Sequence, residues 1–303
     1  MKKLFVSVVW LCFMTYSGII TGAEEYRPSG SMPVETTYIF APHPYLNPQE
    51  LFNAYDPIVH YLEHKIPGSK FIVETSKDYA DYEKKIAARR FHFGLPNPYQ
   101  TLFSLEHGYH VIAKMKPDDD FRGMMVVRKD RKFASPHDLA GQTLCFPSPT
   151  AVAATMLPML YLYDHGLDLK KDVQIKHVGS QISSIMNAYT GDAAACGTTV
   201  RYWRTWSRDN PEKATELETL WLTNSLPHNG VIARDDVPPQ LAQQVAAALI
   251  NMENDRELDQ SQFKIDQAHF EPGNNDTYQP MTIFLKHFDE SLGLPTQMKP
   301  QTR

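Results

Sequence analysis

The residues best suited to hold a small polar molecule fall in five short loops. These are Ala41-Pro42-His43-Pro44-Tyr45, Leu95-Pro96-Asn97-Pro98-Tyr99, Phe146 to Ala151, Val178-Gly179-Ser180-Gln181, and Cys196-Gly197-Thr198-Thr199. Just beyond the last lie Arg201 and Tyr202. Hydroxyls, side-chain amides, an imidazole and a guanidinium can bind a solute, but they form no covalent catalytic pattern. Each loop reads as a junction from strand to helix, where the first helical amides lack partners and carry positive partial charge. "CFPSPTAVAATMLP", 145–158, is the odd one. After Thr150 it offers Ala151, Val152, Ala153 and Ala154 where an anion-holding turn would carry Ser, Thr or Gly. One such loop is an ordinary turn; five converging loops point to a site.

Of the isolated candidates, His43 can donate to a ligand, and Arg201 is better placed than Arg122 to bring positive charge to a helix start. Met124, Met125, Met156, Met159 and Met186 have apolar neighbours and read as core. No Gly-x-Ser-x-Gly, His-Glu-x-x-His or phosphate loop occurs, so neither an enzyme nor a cofactor is expected. Cys145 and Cys196 close the segments "TLCF" and "AAAC". If those are adjacent strands, about 4.8 Å apart, a disulfide with its usual Cα separation of about 5.5 Å is permitted. Two buried free thiols, a soft-ligand pair for arsenite or copper, and a catalytic thiol stay open beside it.

The elements that must position these loops alternate. "TTYIFAP" is a strand, and "NPQELFNAYDPIVHYLEHKIPG" is a helix capped by Asn47 with Pro48 in its first turn. "KFIVET", "DYADYEKKIAARR", "FHFGL", "YQTLFSLEHG" and "YHVIAKM" continue as strand, helix, strand, helix, strand. "GMMVVRK", "TLCF", "AVAATMLPMLYLYDHG", "VQIKHV", "ISSIMNAYTG", "AAAC" and "VRYWRTWSRDN" repeat the architecture, and a helical tail begins at "PQLAQQVAAALINME". Such alternation implies parallel βαβ units, and ligands of such sheets sit beyond the C-terminal strand ends. The expected class is α/β, with two Rossmann-like lobes and a cleft between them.

Lys2 and Lys3 precede an apolar run from Leu4 to Ile20, and Thr21-Gly22-Ala23 supplies small residues for cleavage. Residues 1–23 are therefore expected to be a signal peptide, leaving an exported, periplasmic protein without stable membrane insertion. Their removal takes two of 30 basic and none of 35 acidic residues, moving the formal charge from −5 to −7. That acidity argues against nucleic acid as partner.

Across nearly the whole mature chain the order of "DPIVHYLEHKIPG", "FHFGLPNPY", "HDLAGQTLCF", "MLP", "VGSQISSIMNAYTGDAAACGTT" and "LPHNGVIARDDVP" resembles the periplasmic solute-binding proteins of phosphonate and phosphite ABC transporters. The resemblance implies a type 2 periplasmic-binding fold: two lobes joined by a hinge, 24–118 with 224–303 as lobe I and 119–223 as lobe II. It implies a small-molecule solute, trapped in the cleft and passed to an ABC permease; a membrane sensor kinase is the alternative partner, and a thiol enzyme the alternative function. The family's Ser-Thr-Ser-Gly, set seven residues before a proline, falls on Ala151 to Ala154. Its Gly-Ser-His reads Gly179-Ser180-Gln181, its acidic residue for a ligand amino group falls on Asn229, and its first-lobe tyrosine is Tyr99. Charge-assisted hydrogen bonds are worth about 1.5–3 kcal/mol each, so these losses predict a ligand other than a simple phosphonate. The expected contacts are His43, Tyr45, Asn97, Tyr99, Thr150, Ala151, Val152, Ala153, Ser180, Gln181, Thr198, Thr199, Arg201, Tyr202 and Asn229.

Overall fold

A computed structural model describes residues 36–256, 258 and 269–298; the leader expected at 1–23 lies outside them. Strand β1 (Thr36–Pro42) leads to α1 (Pro48–Lys65), whose cap Asn47 accepts from the Glu50 amide and which runs on through Pro57. Then follow β2 (Ser69–Val73), α2 (Tyr79–Ala87), β3 (Phe93–Leu95), α3 (Pro98–Leu105) and β4 (Tyr109–Met115). Asn97 caps α3 reciprocally with Gln100, and Pro98 fits its first turn because the N–H donor it lacks would have no intrahelical partner there.

After a crossing segment come β5 (Gly123–Arg128), β6 (Thr143–Phe146), a π-helical turn (Val152–Met156) and α4 (Leu157–Asp164). The chain continues through β7 (Gln174–His177), α5 (Gln181–Thr190), β8 (Ala195–Thr199), α6 (Val200–Asp209), α7 (Pro211–Ala214) and β9 (Leu217–Leu220). A second crossing leads to β10 (Gly230–Arg234), α8 (Pro239–Asn251), β11 (Phe270–Glu271) and α9 (Gln279–Leu292).

Among the described residues one sheet has the order β11-β4-β10-β3-β1-β2 and the other β7-β6-β8-β5-β9. β1 runs parallel to β2 and β3, and β6 parallel to β7 and β8. β10 and β5 are antiparallel insertions, each the first strand after a crossing. The crossings are tied to each other. Thr223 N donates to Gly123 O at 3.0 Å and Met115 N to Asn229 O at 2.9 Å, while the His228 amide donates to Asp118 at 2.8 Å. Two bonded connections of this kind form a hinge ribbon rather than a loose linker. The first sheet is packed by α1 and α8 through Leu51, Ile58, Leu62, Val245 and Leu249. Met281, Phe284, Phe288 and Leu292 of α9 join the second sheet's core with Leu160 and Leu162 of α4. A division that gives 224–303 wholly to the first lobe therefore does not describe the packing of α9.

Two local expectations need correction, and the stretch 218–238, to which the sequence reading assigns no element, proves to hold strands of both sheets. "AAAC" is not the strand; β8 begins at Ala195 and continues through Thr199, because pairing with β5 as far as Gly123 extends it. "ETLWLTNSLPHNGVIARDDVP" splits into β9 and β10, one in each sheet. The helix expected from Ala151 opens with a π turn. Thr155 N and Met156 N both donate to Ala151 O, at 2.9 and 3.1 Å, and Leu157 N donates to Val152 O.

Candidate functional site

A cavity of about 510 Å³ opens between the two sheets, walled by the C-terminal ends of strands from both. β1 delivers His43 and Tyr45, β3 delivers Asn97, and α1 and α2 contribute Glu50, Tyr55 and Tyr79. From the other side β8 ends at Thr199, which caps α6 by accepting from the Tyr202 amide, so the first turn of α6 presents Arg201 and Tyr202. The hinge adds Phe121, His228 and Asn229.

The polar groups of this wall are largely committed to one another. Gln181 Oε1 accepts from the Thr199 amide at 3.2 Å and lies 3.1 Å from both Thr198 Oγ1 and Thr199 Oγ1. The backbone donor identifies that atom as oxygen, so the Gln181 NH₂ group, a donor, is directed away from these threonines. Thr198 and Thr199, expected as ligand contacts, both commit their hydroxyls to Gln181. Arg201 Nη2 donates to Lys116 O at 2.8 Å and lies 3.9 Å from Asp120. Arg204, by a direct hydrogen bond, and then Arg201 hold Asp120 below the usual carboxylate range.

Both cavity imidazoles are neutral near pH 7. His43 is buried, and desolvation takes its pKa down to about 4, against the opposing effect of the Leu95 carbonyl. Its Nδ1 lies 3.2 Å from that carbonyl oxygen, which can only accept, so Nδ1 carries the proton and Nε2 a lone pair. His228 is pushed well below its ordinary value by burial first and then by Arg201 and Lys114. Its Nδ1 accepts from the Asn229 amide at 2.7 Å, which places its proton on Nε2.

The Ala151–Ala154 turn is buried against the second sheet. A Cβ on Gly197 would stand 2.1 Å from Ala154 O, and one on Gly123 2.1 Å from Ala153 O. Both positions therefore demand glycine. The turn offers methyl groups and backbone to the cavity, and no hydroxyl. Thr150 turns away: its Oγ1 donates to Glu83 of α2 at 2.8 Å, where Gln100 Nε2 also donates at 3.1 Å. Asn97 Nδ2 donates to Thr150 O at 2.9 Å, so these bonds clasp the two sides of the cleft. Burial raises the Glu83 pKa, and the Gln100 and Thr150 bonds oppose that rise.

Of the residues expected from sequence, His43, Tyr45, Asn97, Ala151, Val152, Ala153, Gln181, Thr199, Arg201, Tyr202 and Asn229 line the cavity. Four do not. Tyr99 packs into the second sheet's core beside Phe103. Ser180 caps α5, Thr198 is fully buried, and Thr150 lines a smaller neighbouring cavity. Sequence reasoning missed Glu50, Tyr55, Tyr79, Asp120 and His228. Glu50 had a visible signal as the third residue after a helix cap; the others needed the fold. Cys145 and Cys196 lie in register on β6 and β8, with Cα atoms 4.5 Å apart, and are disulfide-bonded. Both sulfurs are thereby used, which removes the soft-ligand pair and the thiol nucleophile. The reason is topological: β6 lies between β7 and β8, so the two strand ends meet.

Residues 40–278 match the family described as ABC transporter, phosphonate, periplasmic substrate-binding protein. The chain belongs to this family. Among solved structures, PhnD1 from Prochlorococcus marinus (MIT 9301), in complex with methylphosphonate, superposes with a TM-score of 0.75 at 14% identity, over 84% of this chain and 98% of that one. A binding protein component of an ABC phosphonate transporter from Pseudomonas aeruginosa gives 0.74 at 12% identity, over 85% and 88%. The alkanesulfonate-binding protein SsuA from Xanthomonas axonopodis pv. citri, bound to MOPS, gives 0.60 at 12% identity, over 86% and 95%. No curated protein matches the sequence. At these identities the structural matches speak to the two-lobed fold alone.

Proposed function

We propose that this family member is a periplasmic receptor, exported by cleavage after Ala23, that captures a small solute between its lobes and delivers it to an ABC permease without chemical turnover. The observation that carries the reading is the cavity walled from both sheets, with the chain crossing twice beside it through a bonded hinge ribbon. Lobes so connected can close on a solute and present the closed face to a membrane partner.

The solute is not a simple phosphonate. The Ala151–Ala154 turn brings no hydroxyl, Gln181 stands where a protonated imidazole would serve an anion, and Thr198 and Thr199 are engaged with Gln181. Calorimetry with methylphosphonate and aminoethylphosphonate tests this. Weak or undetectable binding is expected, strengthened by the combined A151S, V152T, A153S and Q181H substitutions. Submicromolar binding by the unaltered protein overturns the argument. N-terminal sequencing of material recovered from the periplasm, expected to begin at Glu24, tests the export.

A further inference from the structure

The charge balance of the cleft is uneven. Three carboxylates, Glu50, Asp120 and Asp209, line it against two guanidiniums: Arg201 lies 3.9 Å from Asp120, which Arg204 also pairs at 2.8 Å, and Arg208 lies 3.0 Å from Asp209. Of the three, Glu50 has no ion pair among the described residues. Among the described residues its Oε2 is buried without a hydrogen-bond partner, and so is Oδ1 of Asn229, a residue only 6% exposed. His43 adds a third acceptor, the Nε2 lone pair left by its Nδ1–H bond to Leu95. A buried acceptor without a donor is costly, and a ligand that donates to Glu50 Oε2 or Asn229 Oδ1 recovers that cost.

Around these acceptors the wall is aromatic. The Tyr45 and Tyr55 hydroxyls lie 3.5 Å apart, and the His43 ring stands 5.2 Å from that of Tyr45 and 5.9 Å from that of Tyr79. Tyr202 faces them from the second lobe, where burial first and then the Glu50 carboxylate push its hydroxyl pKa upward. Phe121 and Trp206 complete the lining. Aromatic faces attract cations by their quadrupole, most strongly when the cation is desolvated. An uncompensated carboxylate amid such rings attracts the same class of ligand and repels oxyanions.

We propose that the solute is a small organic cation bearing an ammonium group, held in the aromatic cleft by Glu50 with Asn229 and His43 as further acceptors. The proposal rests on the receptor reading and names the ligand class of that same site. The alanine turn fits it, since the alkyl substituents of such a cation pack on its methyl groups and need no hydroxyl donor there.

The test is calorimetry on the mature protein with choline, ethanolamine and glycine betaine, against methylphosphonate and ethanesulfonate. One or more of the ammonium compounds is expected to bind. Glu50→Gln should weaken that binding by about tenfold or more, the worth of one charge-assisted hydrogen bond. Tyr202→Leu should weaken it while Tyr202→Phe largely preserves it, which separates ring recognition from a folding defect; circular dichroism checks the fold of each variant. Binding of either anion with no response to Glu50→Gln overturns the cation assignment and leaves the receptor reading standing. If no probe binds, native mass spectrometry of copurifying solute decides: an ammonium compound supports the proposal, and an anionic solute overturns it. An empty cleft that binds neither class overturns both readings.

Discussion

Removing the Cys145–Cys196 bridge should destabilise the second lobe strongly, and the size of the loss can be worked from the chain. The bonded residues are 51 positions apart in sequence, and closing a loop of that length removes about 4 kcal/mol of chain entropy from the unfolded state. Both cysteines are fully buried beside Val126, Ile185 and Trp206, so a C145A/C196A variant also loses packing and should fall somewhat further than protein that is merely reduced. With a urea dependence of about 3 kcal/mol per molar, the midpoint should drop by about 1 M or more. Tryptophan fluorescence is the fitting assay: Trp206 shares the bridge's core cluster, with Trp203 packed against it, and the two rings stand 5.6 Å apart. The first-sheet core contains no tryptophan among its described members, so the signal reports the lobe that carries the bond. Thiol titration of unreduced, unfolded protein should find no free thiol in the mature chain. Two titrated thiols, or an unfolding midpoint indifferent to reductant and to the alanine variant, would refute the reasoning.

Glu83→Gln keeps an acceptor for Thr150 and Gln100 and removes a buried charge. A carboxyl whose folded pKa lies above its ordinary 4.5 contributes stability that is fully present below that value and lost as pH rises through the folded one. The variant should therefore be at least as stable as the parent at pH 7, with a flatter melting profile from pH 4 to 7; a steeper profile contradicts the assignment. Gly197→Ala puts a methyl group 2.1 Å from Ala154 O, and the forced backbone shift should cost about 1–3 kcal/mol in chemical denaturation; an unchanged midpoint shows the turn to be pliant. Asp118→Ala strips an acceptor from the buried His228 amide and an ion pair from Lys114. It should lower stability by about 1–3 kcal/mol and change the affinity for any cleft ligand, whereas an effect on neither would exclude Asp118 from the hinge.

Much of this architecture was legible because its signals are local. Asn47-Pro48 and Asn97-Pro98 announce helix starts through capping chemistry that needs only neighbouring atoms. Strand and helix periodicity separated the parallel βαβ units, and that alternation led to a cleft at the strand ends. The residues immediately after β1, β3 and β8 followed, because chain order alone places them at the cleft.

What remained hidden depends on partners distant in sequence. Tyr99 and Tyr79 are both tyrosines near helix starts, yet one enters the second lobe's core and the other the cavity; packing against α9 and the second sheet decides that. Glu83 and Thr150, 67 positions apart, meet only when the two sides of the cleft come together. Thr198 and Thr199 read as free hydroxyls until Gln181 is placed beside them. The sequence by itself determined most of the element order, the family and the absence of hydroxyls from the Ala151–Ala154 turn, since each can be read along the chain in order. Only the tertiary structure decided which sulfurs bond, which polar groups are already satisfied and that Glu50 has no counter-ion among the described residues, because hydrogen-bond saturation and charge balance are sums over neighbours in space.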